Sequence, residues 1–180
     1  MFDLHDFGAL SQKYADELKK RRERHEYWQS TAKPLILRVL SDVCSKLTGL
    51  DCHAKCNIPI KNFEAVYLKL HDIGSGILLD TPSSTRAYIW ISGGLIYSQN
   101  PDGRVLTWFE LPYVRGIEAK PDPHHYRDDC EPNELSEKQI HDDVATFLKF
   151  ITRDVASKQS AQRKIGFLPT SSQVIVQPEQ

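Results

Sequence analysis

Between Cys52 and Leu111 six short runs rich in β-branched and aromatic residues succeed one another, each closed by Gly, Pro, Asn, Asp or Ser. Runs of that kind fit the half-buried surface of a sheet, and this stretch constrains the fold more than any other. The strands predicted are Lys55 to Ile60, Ala65 to His71, Gly76 to Asp80, Arg86 to Ser92, Gly94 to Gln99 and Arg104 to Leu111. Asn100-Pro101-Asp102-Gly103 is the clearest hairpin signal, with Pro pre-set for a type I turn and Gly free to take positive φ. Gly93-Gly94 reads either as a tight turn between two strands or as a bulge in one long bent strand. The outline is an antiparallel meander of five or six strands.

Helical periodicity flanks the meander on both sides. Phe7 to Trp28 carries Leu10, Tyr14 and Leu18 at four-residue spacing, with Asp16 to Lys20 and Glu17 to Arg21 as acid-before-base pairs one turn apart. The apolar stripe then falls on Arg21, Arg22 and His25, so the second half of this helix is expected to project into solvent. Ser30, Thr31 and Pro34 read as a break and restart. Periodicity leaves open whether two helices follow or one helix kinked at Pro34. Leu35, Ile36, Val39, Leu40, Val43 and Leu47 then form a core-facing stripe that Gly49 is placed to end. After a loop from Asp122 to Glu134, Ser136 caps a third helix, Gln139 completes a capping box and Leu135 staples onto Ile140. Ile140, Val144, Phe147, Leu148, Ile151 and Val155 give this helix an unbroken apolar face, which must lie on something apolar, most simply the meander. The fold class expected is therefore a two-layer α+β domain over 1–156, with 157–180 as a tail or extended arm.

Composition excludes broad alternatives. With 40% hydrophobic and 26% charged residues, nine Gly and ten Pro, the chain is neither low-complexity nor collagen-like. A net charge of −1 exerts no global pull on nucleic acid or an anionic membrane. No run is long and apolar enough for a membrane span, and the first residues lack the pattern of a signal peptide, so a cytosolic address is expected. Cys44, Cys52, Cys56 and Cys130 then read as thiols, not disulfides.

Motifs for phosphate loops, nucleophile elbows, zincin helices and dinucleotide binding are missing, and no cofactor is implied. Ligand-type residues gather at Cys52, His53 and Cys56 and at His124, His125, Asp128, Asp129 and Cys130. Thiolate and imidazole suit zinc, yet Cys52 and Cys56 stand about 13 Å apart if that segment is extended, which favours buried thiols over a metal site. The 124–130 loop could pair an imidazole with a carboxylate as a general base, for a hydrolytic or metal-dependent enzyme, but it brings no nucleophile. Between Lys19 and Arg24 the local charge is +4, and Arg21, Arg22 and Arg24 with Tyr27 and Trp28 have the ingredients of phosphate contact and base stacking.

The reading that results is a non-enzymatic protein-interaction module of the adaptor, chaperone or inhibitor type, acting with a protein partner or as a dimer. Its contact residues are expected at Arg21, Arg22, Arg24, Tyr27 and Trp28 and at the β-prone island Val174, Ile175 and Val176, which could add a strand to a sheet. Nucleic-acid binding through the first helix is the alternative, and an enzyme centred on the 124–130 loop the second.

Overall fold

The computed structural model describes residues 4–56, 64–81 and 84–164. Helix α1 (Leu4–Tyr27) does not break at Ser30. It passes through a single π turn (Trp28–Ala32) into α2 (Lys33–Lys46), and the Lys33 N–H donates to the Trp28 carbonyl. Ser30 caps nothing; its hydroxyl donates back to the Glu26 carbonyl at 2.8 Å. Proline in a regular helix lacks one donor and collides with the carbonyl four residues earlier, here that of Ser30. A wider turn just ahead of Pro34 relieves that collision without ending the helix, so the expected restart is a π turn instead. Helix α2 ends at Leu47, whose N–H still reaches the Val43 carbonyl at 3.1 Å, and Gly49 follows at φ 81°.

The strands are β1 (Cys52–Cys56), β2 (Ala65–Leu70), β3 (Ile73–Thr81), β4 (Ser84–Ile91), β5 (Gly94–Gln99), β6 (Val105–Glu110), β7 (Tyr113–Arg115) and β8 (His124–Cys130). All their pairings are antiparallel. The single meander expected is in fact two sheets, one in the order β1-β2-β5-β6-β8 and one in the order β3-β4-β7. The β3–β4 hairpin leaves the first sheet after Leu70 and returns at Gly93-Gly94. That glycine pair is a corner between sheets, neither a hairpin turn nor a bulge. Gly93 has φ 82°, and a Cβ there would meet the Glu110 carbonyl oxygen at 2.4 Å; a Cβ on Gly94 would meet that of Leu68 at 2.7 Å. Only bare backbone lets β5 close against β2 at this point.

One face of the first sheet carries the main core. Val66, Leu68 and Leu70 of β2, Leu95 and Tyr97 of β5, and Val105 and Phe109 of β6 alternate inward. They meet Ile36, Val39 and Leu40 of α2 and Ile140, Val144 and Phe147 of α3 (Glu137–Lys164). The fold is thus α+β with the C-terminal helix packed on an antiparallel sheet. The start of α3 follows its sequence signature: Leu135 and Ile140 are both buried, and the Ser136 hydroxyl accepts the Gln139 N–H at 3.3 Å. The segment expected as a loop from Asp122 to Glu134 holds β8 and a 3-10 turn (Pro132–Glu134).

The hairpin at Asn100 to Gly103 forms as expected, the Gly103 N–H donating to the Asn100 carbonyl at 3.0 Å. Its tip is pressed against α1. Gly103 takes φ 88°, and a Cβ would lie 2.7 Å from the Arg24 Cβ and 3.2 Å from the Arg21 carbonyl oxygen. Gly103→Ala is therefore expected to cost about 1–3 kcal/mol in urea unfolding. A loss below a few tenths would show that α1 does not bear on this turn.

Candidate interaction surface

At 100° per residue, Phe7, Leu10, Tyr14, Leu18, Arg21 and Trp28 fall within one side of α1. The far end of that side is tied to the body. Trp28 is fully buried, and its indole N–H donates to Glu64 Oε2 at 3.0 Å. Arg24 holds Glu131 through two bonds of 2.7 Å, and a ring nitrogen of His25 lies 2.7 Å from Gln99 Oε1. The near end overhangs: Phe7, Leu10, Tyr14 and Leu18 are 57, 62, 66 and 45% exposed. The anchoring of the far end departs from the expectation that the second half of the helix projects, although Arg21, Arg22 and His25 are themselves exposed. Among the described residues, the Gly103 turn bears on α1 at Arg21 and Arg24, beyond the four side chains of the stripe.

The predicted partner residues divide accordingly. Arg21 and Arg22 are exposed. Arg24 is not free, since its bonds to Glu131 raise its own pKa and hold the Glu131 carboxyl below the usual range. Trp28 is core and cannot reach a partner in the folded state. Tyr27 is partly exposed and lines an open groove of about 390 Å³ with Lys20, Glu23, Arg24, Glu131, Pro132 and Asn133. Val174, Ile175 and Val176 lie outside the described residues. The basic run is partly neutralised, with Lys20 on Glu17 at 2.9 Å and Lys19 within 3.8 Å of Glu23.

The residues weighed for metal or acid-base chemistry do not converge. Cys52 and Cys56 are half-buried and pack against the core from the edge strand β1. Burial, with a hydrogen bond to Cys52, pushes the Cys44 thiol up to about 12. His124 stacks on Phe150 at 4.8 Å, while His125 lies against Trp108 at 5.6 Å. Asp129 is engaged by Arg104 and Asn100, each at 3.1 Å, and burial raises the Cys130 thiol. Among the described residues no three His, Cys, Asp or Glu side chains are placed to share an ion. An imidazole–carboxylate pair does form elsewhere, between His71 Nδ1 and Asp51 Oδ2 at 2.5 Å. Beside it the His71 N–H donates to the Asp51 carbonyl at 2.8 Å, so the pair fastens the outer end of the β1–β2 ladder.

Beneath β8 lies a polar cluster that the sequence did not announce. Asp143 of α3 is almost fully buried and accepts from the Tyr97 hydroxyl at 2.7 Å and from Arg127 at 3.1 Å, while the Arg127 guanidinium also reaches Thr107 Oγ1 at 3.3 Å. Burial pushes the Asp143 carboxyl up, and the Tyr97 bond and Arg127 charge only partly oppose it; burial likewise holds the Tyr97 phenol well above its usual value. Ile73, Ile77, Leu78 and Ile89 of the smaller sheet are also exposed, divided between its two faces.

Among the described residues no helix is long and apolar enough to cross a membrane. Compared with known proteins, the chain matches no family model, and it matches neither a curated protein nor a solved structure.

Proposed function

We propose that the chain is a non-enzymatic protein-interaction module and that the overhang of α1 is its docking surface. The observation that carries this reading is the row Phe7, Leu10, Tyr14 and Leu18, four large apolar side chains left in solvent on a helix anchored at its other end. Helices lay such i, i+3, i+4 anchors into a partner's groove or against another helix. Large exposed apolar patches mark interaction sites more often than they occur by accident. Nucleic-acid binding draws less support, because Arg24 is tied to Glu131 and the neighbouring lysines face Glu17 and Glu23.

The test is a paired Leu10→Ser and Tyr14→Ser variant. Both positions are exposed, so the unfolding free energy in urea is expected to stay within about 0.5 kcal/mol of the wild type. Association of the full chain, read by light scattering and by cross-linking in the native cell, is expected to weaken by at least about 30-fold, as for truncated interface anchors. Unchanged association with an intact fold would refute the reading.

A further inference from the structure

We infer that the overhang of α1 pairs antiparallel with the same segment of a second copy of this chain. This rests on the reading of α1 as a docking surface and identifies what docks there. Two features of the chain select the occupant and its direction.

The first is the spacing of the stripe. Phe7, Leu10, Tyr14 and Leu18 are separated by three, four and four residues, close to a palindrome. Turned end for end, the segment sets Phe7 level with Leu18 of the second copy and Leu10 level with its Tyr14, so every apolar side chain meets another. A two-fold interface requires that self-complementarity.

The second is what lies at the carboxyl end of the overhang. Arg21 and Arg22 are exposed there, and parallel pairing would set them beside the same two cations of the second copy. The body also rises at that end, on the side of the helix that the stripe occupies, through Gly103 on Arg21 and Arg24 and through buried Trp28. Two parallel copies would bring their bodies into the same space. Antiparallel copies place each body beyond the amino end of the other helix, and the span from Leu4 to Lys20, about 25 Å at 1.5 Å per residue, gives each partner helix room to lie flat. The aligned backbone dipoles oppose each other favourably in that arrangement.

The area sets the strength. A stable interface takes about 800 Å² per partner. Four large side chains at the exposures given supply about half of it, the remainder falling to charged stems beside them. Pairing is thus expected in the micromolar range, about 10 μM.

The experiment is sedimentation equilibrium on the full chain and on two variants, Leu10→Glu and Tyr14→Lys. The wild type is expected to shift from 20.6 kDa to twice that mass as concentration rises through the micromolar range. Each variant alone is expected to pair at least about 100-fold more weakly. An equimolar mixture of the two is expected to recover pairing to within about 10-fold of the wild type, because the antiparallel register sets the new acid against the new base. A mixture that stays monomeric overturns the register. A wild type monomeric near 1 mM overturns self-pairing. If that monomer still loses a cross-linked cellular partner on Leu10→Glu, the docking surface stands with another occupant; if nothing changes, both readings fall. A monomer whose α1 amides exchange faster on Ile175→Asp places the chain's own tail on the stripe, which also overturns self-pairing.

Discussion

Trp28→Ala is expected to remove about 3–5 kcal/mol of stability, a large share of the about 5–15 kcal/mol by which an ordinary domain is stable. Two effects combine at this residue. Its ring is fully buried in the main core cluster, so truncation opens a cavity whose walls, set by the sheet on one side and by the continuous helix on the other, have little freedom to collapse. The indole N–H also donates to Glu64, whose carboxylate takes Lys33 at 2.5 Å and Gln29 at 2.6 Å. Burial alone would push that carboxyl up; the three donors more than offset it and hold it below the usual range. Glu64 therefore keeps partners after the truncation, and the cavity accounts for most of the loss. Trp28→Phe, which keeps a ring and drops the bond, should lose only about 1–2 kcal/mol. Urea unfolding of the three proteins separates the contributions, and a loss below 1 kcal/mol for the alanine variant would contradict the burial of this side chain.

Asp143→Ala is the second large effect, about 2–4 kcal/mol, because it takes the shared Oδ2 acceptor from the Tyr97 hydroxyl and from the Arg127 guanidinium, which keeps only Thr107 Oγ1. The pH dependence of Asp143→Asn carries further information. Burial raises the Asp143 pKa in the folded state above its unfolded value of about 3.9. Between the two values the native protein binds more protons than the unfolded chain, so wild-type stability falls as pH rises through that interval. Asparagine resembles the protonated acid and has no such loss. The deficit of Asp143→Asn relative to wild type should accordingly shrink as pH rises from about 4, measured by urea unfolding at successive pH values. A deficit that grew with pH would mean that Arg127 stabilises the charged form more than burial penalises it.

Legibility in the sequence followed locality. The α2 stripe, the bounds of β5, the Asn100 to Gly103 turn and the start of α3 all rest on residues within a few positions of one another, and each lies where its pattern puts it. What failed depends on distant partners. β8 reads His-His-Tyr-Arg-Asp-Asp-Cys, with no apolar alternation, and becomes a strand because β6 offers it an open edge. The separation into two sheets hangs on two glycines whose neighbours in space are Glu110 and Leu68. The orientation of α1 depends on distant partners of its far end, Glu131 for Arg24, Gln99 for His25 and Glu64 for Trp28. Trp28, beside a charge run, looked like a surface aromatic, whereas Glu64, 36 residues later, draws it inward. The apolar row at the amino end was visible throughout; what covers it, or fails to, was not.

The corner at Gly93-Gly94 has a consequence for how this chain can vary. The Leu70 N–H donates to the Gly93 carbonyl at 3.2 Å, and the Ser92 hydroxyl to the His71 carbonyl at 2.7 Å, so the hairpin departs and returns through one narrow gate. Whatever hangs beyond that gate leaves the pairing of β2 with β5 untouched. Because β4 also pairs with β7 through Ile89, Trp90 and Ile91, a change of length is expected to be tolerated only beyond that pairing, where it leaves the ladder beneath in register.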